Sequence, residues 1–128
     1  MKLFDSHAHL DDEQFDSDRE EIIDRIIKSD VKRIINVGAD IKTSESSIKL
    51  ASEYDFIYAA VGIHPHDVSD CSQSDMEYLK NLSVHEKVVA IGEIGLDYYY
   101  DNSPREEQRI WFENQIRLSE ELNLPFIV

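Results

Sequence analysis

The chain has 128 residues, 41% of them hydrophobic and 31% charged, which is enough apolar sequence for one folded domain with its own core and excludes a disordered segment. Its 13 Lys and Arg against 27 Asp and Glu leave a formal net charge of -14. That excludes a general basic surface laid on nucleic acid, but not an enzyme that meets phosphate through bound cations.

Leu3 to His7 reads as a first strand, and Asp5 stands where a secretory leader would need its apolar stretch. The strand runs into His7-Ala8-His9. Side chains alternate along a strand, so His7 and His9 share a face with Leu3 and Asp5 and both rings can reach one ion. Asp5 is the expected acceptor for the second nitrogen of a ring. On its own, a pair of histidines at a strand end says little.

An acidic loop to Asp16 leads into Ser17-Asp18-Arg19-Glu20, which has the form of a capping box. With Ile22, Ile23, Ile26 and Ile27 at helical spacing, it predicts a helix over Ser17 to Ser29. Arg33 to Val37, closed by Gly38, predicts a second strand, and Ile48, Ala51 and Tyr54 mark a helix over Thr43 to Tyr54. Ile57 to Ile63 is apolar almost throughout, as a strand covered on both faces should be, and ends in the loop Gly62-Ile63-His64-Pro65-His66. Even extended back to Phe56, this longest apolar run falls far short of the roughly 20 residues of a membrane helix. Cys71 lies in a polar loop with no second cysteine to pair with, so a reducing cytoplasm is the expected compartment.

Met76, Leu79 and Leu82 predict a third helix over Ser74 to Leu82, and Val88 to Ile91 a fourth strand leading into Gly92-Glu93-Ile94-Gly95-Leu96-Asp97. The next helix is the best marked, with Ser103 as N-cap, Pro104 first and Glu106 completing a capping box. It should run to Glu121 and bury Trp111, Leu118 and Leu122, flanked by Phe112 and Ile116. Leu124 to Val128 begins a fifth strand.

Strand and helix alternating with short connections imply an α/β fold with parallel strands and right-handed crossovers. No phosphate-cradling glycine fingerprint follows the first strand, which disfavours a nucleotide-binding doubly wound sheet. Four and a half units in 128 residues extrapolate to the roughly 250 of a (β/α)8 barrel, so the prediction is the N-terminal half of a TIM barrel in one domain, residues 1-128.

In such a barrel the strand ends converge on one catalytic face. His7 and His9, His64 and His66, and Glu93 all fall there. Glu93 shares strand parity with Val89 and Ile91, so its carboxylate is expected to point inward, where it can join two imidazoles on one ion and bridge to a second.

Phe4-Asp5-Ser6-His7-Ala8-His9-Leu10-Asp11, Gly62-Ile63-His64-Pro65-His66, Gly92-Glu93-Ile94-Gly95-Leu96-Asp97-Tyr98-Tyr99 and Leu122-Asn123-Leu124-Pro125 resemble, in order, the signatures of TatD-family metal-dependent hydrolases. The resemblance implies an amidohydrolase-like TIM barrel with two divalent ions (Mg2+, Mn2+ or Zn2+) and DNA as substrate. It implies His7 and His9 on one metal, Glu93 as the bridging and catalytic carboxylate, and a deoxyribonuclease as the activity. In that family a ligand histidine follows the fifth strand, and a further histidine and an aspartate come later. The chain stops at Val128, before them, so the expectation is a fragment of a protein about twice as long whose two-metal site is incomplete here.

Other residues carry weaker expectations. His64 is favoured over His66 for substrate contact, and Asp97 either supports the site or caps its own turn. Tyr98, Tyr99 and Tyr100 offer ring faces for unstacked bases, with packing of at least two of them on the following helix the preferred reading. Arg105 is expected in solvent and His85 on the surface. Two competing functions keep the fold: an ester or amide hydrolase, and a non-catalytic half-barrel that self-associates through the open edges of strands one and five.

Overall fold

The computed structural model describes all 128 residues. Four parallel strands stand in the order β1-β2-β3-β4: β1 is Leu3–Ala8, β2 Val31–Val37, β3 Ile57–Val61 and β4 Val88–Ile91. Helices α1 (Arg19–Ile27), α2 (Ile41–Glu53) and α3 (Gln73–Ser83) connect them, and α4 (Arg105–Leu122) follows β4. The predicted fifth strand is present as a single parallel bridge, Phe126 beside Ile91.

The packing decides between the two parallel architectures. Ile23 of α1, Leu50 of α2, Leu79 of α3 and Leu118 of α4 share one core with Ile34, Ile57, Ala59 and Val61 of the strands. Ile35, Val37, Ala60 and Ala90 point the other way and form a cluster that contains no helical residue, joined only by Tyr58, Val89 and Ile127. Helices on one face alone fit a segment of a barrel wall; a doubly wound sheet has them on both. The edge strand β1 is exposed along most of its length, with Phe4 61% accessible.

The helix starts differ from the sequence expectations for local reasons. The Ser17 capping box does not form: Asp18 occupies the N-cap position without a side-chain bond. Instead the Arg19 guanidinium folds back to the carbonyls of Leu10 and Asp12, at 2.7 and 2.9 Å, and fastens the loop after His9. Helix α2 begins earlier than predicted because Asp40 and Thr43 form a reciprocal capping box, and Ser72 with Asp75 does the same for α3. Ser103 is not a cap. Its buried hydroxyl donates to the His66 carbonyl at 2.9 Å, and α4 starts only at Arg105. The inner face of α4 is Gln108, Gln115, Leu118 and Ser119, while Trp111 and Leu122 are half-buried.

Strand β3 ends at Val61, not Ile63. Beyond it, Gly62 passes so close to Gly92 that a Cβ would lie 2.7 Å from the Gly92 carbonyl carbon. Ile63 leaves the ladder, and its N–H and C=O bond to the buried Gln115 side chain at 2.8 and 3.0 Å.

Candidate metal centre

The three predicted ligands meet at the C-terminal rim of the sheet. One donor atom from each of His7, on β1, His9, just beyond it, and Glu93, in the loop after β4, all lie within 4.8 Å of one another. Donors on one tetrahedral zinc stand about 3.4 Å apart, so the widest pair of this set would close by up to about 1.4 Å, a side-chain adjustment, to share one ion. The closest pair is His7 Nε2 and Glu93 Oε2, at 3.4 Å.

Two contacts explain how the set is held, and both correct a sequence expectation. His9 Nδ1 lies 2.9 Å from the Val37 carbonyl, which can only accept, so Nδ1 carries the proton and Nε2 keeps its lone pair for a cation. Asp5 does not serve this purpose; its carboxylate takes the backbone N–H of His7. Strand parity does not aim Glu93 either. The β3–β4 register shifts between Ala59↔Val88 and Ala60↔Ala90, so Ala90 faces inward and Ile91 packs under the helices. Glu93 reaches the rim from the loop, its N–H donating to the Gly38 carbonyl at 2.7 Å across the end of the sheet.

His64 and His66 stand beside this group with different roles. His64 Nδ1 accepts the backbone N–H of His66 at 3.1 Å, so the neutral ring has its proton on Nε2, 4.0 Å from Glu93 Oε1. Burial lowers the His64 pKa, against the opposing pull of Glu93, and keeps that ring a neutral donor. His66 Nε2 lies 2.5 Å from Asp97 Oδ2. The other Asp97 oxygen accepts the N–H groups of Tyr99 and Tyr100, each at 3.0 Å, so Asp97 both supports the site and caps its own turn. A cleft of about 380 Å³ lies between His9, Asp11, His64, His66 and Glu93. A larger depression of about 550 Å³, formed by residues 16–21 with Leu50 and Tyr54, contains no imidazole or thiol.

Residues 4–128 match the family described as TatD related DNase. The chain belongs to the TatD family. It is 52% identical over 126 residues to YabD of Bacillus subtilis, named an uncharacterized metal-dependent hydrolase, covering 98% of this chain and 49% of that protein. Against the 3'-5' ssDNA/RNA exonuclease TatD of Escherichia coli K12, the identity is 33% over 123 residues, covering 96% of this chain and 47% of the relative. The crystal structure of the TatD homologue YjjV from E. coli superposes with a TM-score of 0.88 at 32% identity, over 97% of this chain and 49% of that one. The chain therefore spans about half the length of the curated relatives it matches.

Within this TatD-family half-barrel, the supports of the site were missing from the sequence reading. Asn36 is fully buried; its Oδ1 accepts the Leu10 N–H at 2.6 Å, and its Nδ2 donates to Asp11 and Ser47 at 2.7 and 2.8 Å, locking the turn after His9. Gln115 holds Ile63, next to His64, and Gln108 bonds the Asp97 N–H at 2.8 Å. A readable signal existed: Gln108 and Gln115 are seven apart, two helical turns, on the face that carries Leu118. The tyrosines also depart from expectation. Only Tyr98 engages the following helix, under the Arg105 guanidinium 4.5 Å from its ring centre, while Tyr99 and Tyr100 are 88% and 66% exposed. Arg105 is exposed as expected, yet paired with Asp101.

Proposed function

We propose that this chain contributes the His7, His9 and Glu93 ligands to the centre of a metal-dependent nuclease that hydrolyses phosphodiester bonds of single-stranded DNA, with RNA as a second substrate. The convergence of those three donors at the strand ends carries the reading. The matches to a metal-dependent hydrolase and a ssDNA/RNA exonuclease support it. The activity is proposed for a protein in which a second half-barrel stands beside these residues, with two divalent ions (Mg2+, Mn2+ or Zn2+) in the completed site. When bound, such ions stabilise charge on the attacking and leaving oxygens and acidify water.

The chain's own residues do the positioning. His9 presents its Nε2 lone pair because the Val37 carbonyl holds Nδ1–H. Glu93, fixed by its N–H on Gly38, turns one oxygen toward His7 and the other toward His64, and its carboxylate would join His7 and His9 in holding an ion. His64 offers Nε2–H to a phosphate oxygen in the cleft, and a neutral donor does so without competing for cations. His66 is held at the cleft wall by Asp97. The free thiol of Cys71, whose pKa burial pushes up to about 11, fits a reducing cytoplasm; no helix is long and apolar enough to cross a membrane.

The test is degradation of an end-labelled single-stranded oligonucleotide with added Mn2+ by the protein extended to the length of its relatives, with His7→Ala as control. Mn2+-dependent shortening lost in His7→Ala is expected. Hydrolysis of a carboxylic ester or amide with no attack on the oligonucleotide would overturn the reading.

A further inference from the structure

Four aromatic rings form a continuous row leading away from the candidate metal centre. The His64 and His66 centroids are 4.3 Å apart, His66 and Tyr100 5.8 Å, and Tyr100 and Tyr99 4.8 Å, each pair edge to face. The row starts at Glu93, 4.0 Å from His64, and ends in solvent. In each edge-to-face pair one ring sets its edge on the face of the other, and Tyr99 and Tyr100 remain 88% and 66% exposed.

The turn that carries these rings is fixed by bonds that do not involve the rings themselves. Asp97 accepts the N–H groups of both Tyr99 and Tyr100, and Gln108 bonds the Asp97 N–H. Asp101, in the left-handed region at φ 51°, closes the turn and binds Arg105 through both carboxylate oxygens at 2.8 and 2.7 Å. Ser103 ties the turn to the His66 carbonyl. Single exposed aromatics need no explanation, but adjacent ones held on a fixed turn at the rim of a polar cleft mark a binding surface.

The charge around the rings selects the ligand. Arg105, the cation on this turn's edge, is already paired with Asp101, and Asp97 and Asp101 are acids. Phosphate is therefore disfavoured here, whereas the uncharged π faces of bases are not. A duplex hides those faces; an unpaired strand exposes them.

We propose that Tyr99 and Tyr100, continued inward by His66, form a stacking platform for unpaired nucleobases that feeds a single strand toward the cleft. The platform rests on the nuclease reading above and adds to it the part of the substrate that is gripped. Because stacking needs only a π face, the grip is indifferent to base identity and depends on the strand being open.

The test is the affinity of the protein extended to the length of its relatives for a fluorescent phosphorothioate thymidine hexamer in Mn2+, compared with an abasic hexamer of the same charge. Tyr99→Ala and Tyr100→Ala are each expected to weaken hexamer binding about fivefold or more, and the Phe variants to restore it. The abasic strand should bind the wild type weakly and be insensitive to these substitutions. Equal affinity of wild type and Ala variants for the thymidine hexamer overturns the platform while leaving the nuclease reading in place. Absence of Mn2+-dependent binding to either strand overturns both. If the Ala variants change only the sedimentation mass, the rings belong to a contact between copies and the platform is wrong.

Discussion

Asp97 Oδ2 lies 2.5 Å from His66 Nε2, and one carboxylate thereby joins the loop after β3 to the loop after β4. Its second oxygen organises the Tyr99 and Tyr100 amides. The geometry of the cleft wall thus depends on the charge of a single aspartate.

That dependence has a definite pH sign. The N–H of Tyr100, followed by His66, lowers the Asp97 pKa below 3.8. A depressed folded-state pKa gives stabilisation that is present above the unfolded value and lost as pH falls through the folded one. Protection of the Tyr99 and Tyr100 amides, relative to their intrinsic exchange rates, should therefore fall on acidification below about pH 4 in the wild type. Asp97→Asn should exchange faster already at pH 7 and lack the acid step. Equal protection of the two amides in both proteins at pH 7 would count against this role.

Gln115 is a second point of dependence. Its amide satisfies both the N–H and the C=O of buried Ile63. Gln115→Leu keeps the volume and strands both groups, so a loss of about 2 to 4 kcal/mol is expected in urea unfolding. A loss below about 1 kcal/mol would mean that water or a shifted loop takes over these bonds.

Gly62→Ala tests the close approach of the loops after β3 and β4. The new methyl would lie 2.7 Å from the Gly92 carbonyl carbon and 2.8 Å from its oxygen, backbone atoms that cannot swing aside. Destabilisation of about 1 to 3 kcal/mol is expected. Because Gly92 precedes Glu93, weaker binding of Mn2+ in calorimetry should accompany it. An alanine variant with unchanged stability and metal affinity would show that the loops part easily.

The alternation of strands and helices was legible because isoleucine-rich runs and helical stripes repeat with short connections. That His7, His9 and Glu93 would come together was legible because strand ends in a parallel barrel converge. What escaped was carried by backbone and by buried amides. The Val37 carbonyl that orients His9 has no side-chain signature, and the register shift opposite Ala59 and Ala60 that reverses the parity of β4 leaves no mark in Val88 to Ile91. Ser103 fitted the cap pattern but was drawn to the His66 carbonyl by a contact 37 residues away in sequence. Asn36 and Gln115 read as polar interruptions of apolar segments, and their partners became visible only once the chain was folded.

The most direct measurement is calorimetric titration of this chain with Mn2+, comparing wild type with His7→Ala, His9→Ala and Glu93→Gln, and with His85→Ala as a control away from the rim. One site is expected in the wild type, with affinity reduced at least tenfold in each of the three variants and unchanged in the control. Wild-type affinity in all three variants would contradict the metal centre at His7, His9 and Glu93.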